Sequence, residues 1–168
     1  SESQKVEANS QFGKFVDKNY KNWFKEGEAP VMSHTLFKNK VVPELDDSKT
    51  LMVVIDNLRY DQWKMIESSL TTDFRVDEEH LYFSILPTAT QFSRNAIFSG
   101  LMPSEMEKIH KNWWRNENDE GGKNMYEEQF LIAQLERLGK SNMKISYNKI
   151  TNIDSGRKFV DNIHNLSH

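Results

Sequence analysis

The stretch Ile85-Leu-Pro-Thr-Ala-Thr90-Gln-Phe-Ser-Arg94-Asn-Ala-Ile-Phe-Ser-Gly100 reads as a strand running into a helix through a turn crowded with hydroxyls. Thr90 stands at the mouth of that helix. A helix N-terminus leaves backbone N–H groups unpaired and carries a partial positive charge, so a hydroxyl there meets any anion that docks. Two readings follow: Thr90 is a nucleophile, or Thr88 or Thr90 caps the helix, as threonine commonly does. Arg94, four residues on, shares the helical face of Thr90 and can meet a phosphate oxygen or serve in an ion pair. Gly100 suits a left-handed helix C-cap.

Upstream, Leu51 to Ile55 is a run of five apolar residues rich in β-branched types and followed at once by Asp56. Such a run is how an inner strand of a parallel sheet reads, and open α/β sheets place their ligands at strand carboxyl ends. One sheet can therefore bring Asp56 and Thr90 together. Taken alone, Asp56 is equally a turn or cap residue. Residues 74–76, 81–86 and 143–147 read as further strands. Helices are expected from Asn57 to Leu70, with Leu58, Trp63, Ile66 and Leu70 inward, from Thr90 to Phe98, from about Asn124 to Leu138, ended by Gly139, and from Gly156 to Asn165. Strand and helix in alternation predict a layered α/β fold with a mostly parallel sheet.

Before that unit, residues 5–25 place Val6, Phe12, Phe15, Val16, Tyr20, Trp23 and Phe24 mostly at three- and four-residue steps, the pattern of an amphipathic helix. One stripe of this length cannot bury itself and must pack on something. Ser33 is a plausible cap for a short helix carrying Leu36, Phe37, Val41 and Val42 and stopped by Pro43. With a polar linker at Asp46-Asp47-Ser48-Lys49, the expected division is a helical segment over 1–47 and an α/β unit over 48–168.

Composition narrows the chemistry. The chain has 168 residues, 37% hydrophobic and 28% charged, enough for one domain with a real core. No apolar run approaches the ~20 residues that span a bilayer, and the first residues lack a signal core, so a cytoplasmic location without membrane contact is expected. With no cysteines there is no disulfide and no thiolate metal site. A net charge of -3 argues against broad adhesion to nucleic acid.

Motif spelling adds a resemblance. Val53-Val-Ile-Asp56-Asn-Leu-Arg-Tyr60 resembles the first metal-ligand motif of the alkaline phosphatase superfamily, an apolar strand followed by Asp-Gly-Leu-Arg. Leu86-Pro-Thr-Ala-Thr90, with Phe98-Ser-Gly100-Leu-Met-Pro103 after the helix, resembles that superfamily's nucleophile motif. In its nucleotide phosphodiesterase branch the second threonine is nucleophile and metal ligand, which implies that role for Thr90, with Asp56 as co-ligand. Position 57 is Asn where the superfamily favours Gly, and Asn also accepts left-handed backbone angles. A narrower resemblance is to the PglZ-domain branch, specifically to PglZ-domain response regulators of type IX secretion in Bacteroidetes. It rests on Ser3-Gln-Lys-Val-Glu-Ala-Asn9, Val54 to Trp63 and Glu120-Gly-Gly-Lys-Asn124. That resemblance implies a two-component protein with a receiver, a helical middle region and a zinc-binding phosphatase-like domain holding two ions. It also implies a nucleotide or oligonucleotide phosphodiester substrate, a cognate sensor kinase and a homodimer.

The superfamily's remaining ligands, a downstream Asp-His pair and further Asp and His residues, are not recognisable before His168. Asp56 and Thr90 supply two ligands where a catalytic zinc wants at least three from the protein. The expectation is an incomplete phosphatase-like domain that alone binds zinc poorly and is inactive, with a zinc-dependent phosphodiesterase as parent. The competing reading is a regulatory or interaction module whose phosphatase-like site is vestigial or senses a ligand. Other features carry less: Gly121-Gly-Lys123 lacks phosphate-loop spacing and reads as a turn. Arg59 and Asp61 read as a structural pair, and the five histidines form no tight metal pattern. Trp113-Trp114 read as core or contact residues more than as base-stacking ones.

Overall fold

The computed structural model describes residues 2–25, 27, 29–45, 49–115 and 124–163. Residues 46–48 of the linker expected at 46–49, the loop with Gly121-Gly-Lys123, His164 and His168 lie outside these residues. Seven α-helices are described: α1 (Glu2–Asn19), α2 (Ser33–Leu36), α3 (Tyr60–Leu70), α4 (Thr90–Ser99), α5 (Pro103–Ile109), α6 (Glu127–Arg137) and α7 (Ile153–Asn162).

The amphipathic stretch at the start forms α1 followed by a 3-10 turn over Tyr20–Phe24. Its apolar stripe packs on Phe83, and Phe24 stacks on His34 at 6.0 Å. The rings of Phe12 and Phe15 each lie 6.3 Å from that of Phe83, and Trp23 lies 4.7 Å from it. The Leu86 N–H donates to the Tyr20 hydroxyl at 2.7 Å, which ties the turn after α1 to the segment that enters α4. Val6 and Phe12 remain more than half exposed.

Ser33 is the first residue of α2 and not its cap, which is Met32. Thr35 accepts from the Met32 N–H at 3.0 Å, and the buried Ser33 hydroxyl accepts from the Ile85 N–H at 3.1 Å. Pro43 does not stop the helix abruptly: α2 loosens into a π turn over Phe37–Val41 and then a 3-10 turn over Val42–Glu44. Met32 and Phe83 form a parallel bridge, with Phe83 N–H to Val31 O at 2.9 Å and Ser33 N–H to Phe83 O at 3.1 Å. The expected helical segment thus shares a core with the expected α/β unit.

That bridge is the one β pairing among the described residues. Residues 51–55, 74–76 and 143–147 carry no ladder there. Leu51, Val53 and Phe74 are about 70% exposed, so the burial that fixes an inner strand is not supplied by the described residues. Helix α3 begins at Tyr60, later than expected, and none of its residues is buried.

The core lies around α4. Met32, Ile85, Ala96, Phe98, Met106, Trp114 and Phe130 cluster there, so Trp114 is a core residue, 5.8 Å from the Phe92 ring. Trp113 stacks on His110 at 4.6 Å and meets Phe130 edge-on. Helix α6 buries Phe130 and Leu135 and ends in a Schellman motif, with Gly139 at φ 74° and Lys140 N–H to Leu135 O at 2.8 Å. No described helix is long and apolar enough to cross a membrane.

Candidate phosphoesterase site on helix α4

Helix α4 is fixed at its far end before it presents anything at its near end. Its last four carbonyls would otherwise be orphaned. Gly100 N–H donates to Ala96 O at 2.9 Å, and Gly100 takes the expected left-handed conformation at φ 66°. From α6, the Gln134 amide donates to Ile97 O at 3.0 Å and Phe98 O at 2.8 Å, and the Arg137 guanidinium donates to Ser99 O.

At the near end Ala89 is the N-cap, without a side-chain cap bond. Thr90 is therefore the first helical residue and is exposed to solvent. The turn is braced from within, since the Ser93 hydroxyl reaches Thr88 O at 3.3 Å and Ala89 O at 3.2 Å. Thr88 contributes its carbonyl to this turn.

Asp56 precedes Asn57, whose φ of 57° realises the left-handed angle that the Gly-to-Asn departure requires. The structure joins Asp56 to α4 through Arg94: Nη1 lies 3.3 Å from Asp56 Oδ2. Asp56 and Thr90 make no hydrogen bond to each other among the described residues. Arg94 contacts Asp56 and follows Thr90 by one turn of α4.

Arg94 is held chiefly from the other side. Its Nη2 lies 2.6 Å from Oε1 and 2.7 Å from Oε2 of Glu127, the first residue of α6. The Glu127 side chain is fully buried, Arg94 is 19% exposed and Asp56 43% exposed. The Tyr147 hydroxyl also donates to Glu127 Oε2. Lys149 Nζ stands 3.6 Å from that oxygen and donates to Asn124 O at 2.8 Å. Burial works against the Arg94 charge, but Glu127 and Asp56 outweigh it and raise its pKa. Burial, then the bond to Glu127, raises the Tyr147 phenol above its ordinary value. The Asp56 contact, long and partly solvated, is worth at most about 1 kcal/mol. The Glu127 contact is short, buried and charge-assisted, and is the stronger anchor.

Glu127, Tyr147 and Lys149 were not among the residues expected from the sequence. A glutamate in the first turn of a helix reads as a solvated partner of the helix dipole. The available signal was register: Glu127, Phe130 and Gln134 fall at i, i+3 and i+7, the buried face of α6. A carboxylate on that stripe calls for a cation. The other expectations resolve simply. Arg59 and Asp61 pair bidentately at 2.9 Å on the exposed surface.

The zinc implied by the motif resemblance is not matched by a complete donor set. Among the described residues no three of His, Asp and Glu converge as a metal site, and the Asp56 carboxylate is engaged by Arg94. Asp56 and Thr90 are oxygen donors of the right kind but too few.

The sequence of residues 36–165 matches the family model described as the BREX system PglZ alkaline phosphatase-like domain. That span is well over half of the chain, and the protein belongs to the PglZ family. It begins within α2, upstream of the boundary expected near residue 48. No curated protein matches the chain. Family membership defines a phosphoesterase-like module of the alkaline phosphatase-like class.

Proposed function

We propose that the chain is part of a phosphodiesterase acting on nucleotide or oligonucleotide phosphodiesters, with Thr90 as the nucleophile. The observation that supports this most is the position of Thr90: first residue of α4, exposed, uninvolved in capping, one turn before an anchored arginine. Its Oγ1 attacks phosphorus, the bond to the leaving alcohol breaks, that alcohol takes up the hydroxyl proton, and water then hydrolyses the threonyl phosphodiester to a phosphomonoester and free Thr90. The N–H groups at the start of α4 and the Arg94 guanidinium face the charge that grows on the phosphoryl oxygens. Asp56 is the carboxylate in contact with Arg94. The zinc requirement belongs to the motif resemblance, and Asp56 and Thr90 are the residues that would offer it oxygen. Bound zinc would supply hydroxyl activation.

The wider reading is that of a PorX-like response regulator, cytoplasmic, taking its signal from a sensor kinase in Bacteroidetes type IX secretion and working as a homodimer. In it the layered, mostly parallel sheet of the alkaline phosphatase superfamily is completed around residues 51–55, 81–86 and 143–147. Replacing Thr90 by Val tests the nucleophile. In the full-length parent protein, hydrolysis of a nitrophenyl phosphodiester is expected to fall at least a thousandfold with the fold retained, and activity retained in Thr90→Val overturns the assignment.

A second reading, a ligand-sensing module without turnover, is favoured by one observation: Asp56 already has its counter-ion in Arg94. Phosphodiester binding without hydrolysis by the intact protein distinguishes it.

A further inference from the structure

We infer that Glu127 is a positioning residue for the phosphoryl group, holding Arg94 by one arm while the other arm exchanges Asp56 for a phosphate oxygen. The inference rests on the phosphodiesterase reading above and deepens it. The two arms differ in kind. Nη2 sits 2.6 to 2.7 Å from both oxygens of a carboxylate that no solvent reaches. Nη1 sits 3.3 Å from one oxygen of a half-exposed carboxylate. An incoming anion meets the weaker contact first, because water already competes there. Breaking the Glu127 contact instead would strand a buried charge.

Glu127 is itself held in place. Tyr147 donates to it from a separate segment, and Lys149 adds a second positive charge while tied to Asn124 O. Three parts of the chain (α4, the start of α6, and residues 147–149) thus converge to fix one guanidinium one turn from Thr90. The exchange also releases the Asp56 carboxylate when the substrate anion arrives, so occupancy by substrate and liberation of Asp56 are one event.

The sign of a charge-removing mutation separates this from simple electrostatics. Glu127→Gln deletes a negative charge near the site, and Coulomb attraction alone would then tighten anion binding. Positioning demands the opposite. Inorganic phosphate titrated calorimetrically into the protein is expected to bind Glu127→Gln at least five-fold more weakly than wild type. Glu127→Asp should recover part of the loss, and Asp56→Asn should bind more tightly than wild type. Tyr147→Phe, which keeps both charges, is expected to weaken phosphate two- to three-fold, and it decides the matter should Glu127→Gln fail to fold. A folded Glu127→Gln that binds phosphate as well as wild type, an unaffected Tyr147→Phe, or a wild-type protein that binds no phosphate overturns the inference. Hydrolysis that survives Thr90→Val would remove the nucleophile and leave this phosphate series standing.

Discussion

The Arg94 guanidinium lies 2.6 Å from a Glu127 carboxylate that is wholly buried between α4 and α6. A charged pair in that setting adds little net stability, yet losing one member is expensive because the survivor keeps its charge without its partner. Arg94→Met is therefore expected to lower the unfolding free energy by about 3 kcal/mol, measured by urea denaturation. Arg94→Lys should not restore it, since an ammonium cannot reach Asp56 and both Glu127 oxygens in one plane.

Gly100 is fixed by two requirements at once. Its φ of 66° is left-handed, and a Cβ there would fall 2.2 Å from Gln134 Oε1. Gly100→Ala strains the backbone and pushes away the amide that caps Ile97 and Phe98. A loss of about 2–3 kcal/mol is expected, in part shared with Gln134→Ala because both remove the same cap. A double-mutant cycle in chemical denaturation reads that shared part.

Asn57 holds its left-handed backbone at φ 57° beside Asp56. Asn57→Gly should change stability by only a few tenths of a kcal/mol, whereas Asn57→Val should cost about 1–2 kcal/mol. Thermal unfolding of the two variants side by side tests this.

Two histidines give the fold a pH dependence with a definite sign. Burial lowers the His34 pKa, against a weaker opposite pull from Glu105, and burial and then Arg137 lower that of His110. The unfolded chain therefore binds more protons than the folded one just below the ordinary histidine value of 6.5. Stability is full above that pH and declines as pH falls through the lowered folded values. The urea midpoint is expected to drop between pH 7 and pH 5.5, roughly the range where histidine titrates. The drop should flatten in a His34→Gln, His110→Gln variant. An unchanged slope in that variant contradicts the assignment.

What the sequence made legible was local. Thr90 at a helix start, Gly100 as a left-handed helix end, Gly139 as the end of its helix, and the Arg59–Asp61 pair each depend on a few neighbouring residues, and each stands in the structure as read. The capping alternative at Thr90 resolved differently, because the chain turns one residue earlier and Ala89 becomes the cap. The link between Arg94 and Glu127 spans 33 residues and was hidden by the ambiguity of an acidic residue at a helix start. The β-branched run before Asp56 illustrates the opposite limit. Strand propensity records how well residues suit a pleated, half-buried surface, and pairing depends on neighbours, which the described residues do not supply to Leu51 and Val53.

The most direct test of the central claim is to trap the reaction on Thr90. The full-length parent protein is mixed with a nitrophenyl phosphodiester, quenched in acid during turnover, digested and read by mass spectrometry. A phosphorus-bearing adduct on the peptide that contains Thr90, absent from Thr90→Val, is the predicted result. Turnover with no adduct on Thr90, or with the adduct on another side chain, would contradict the account.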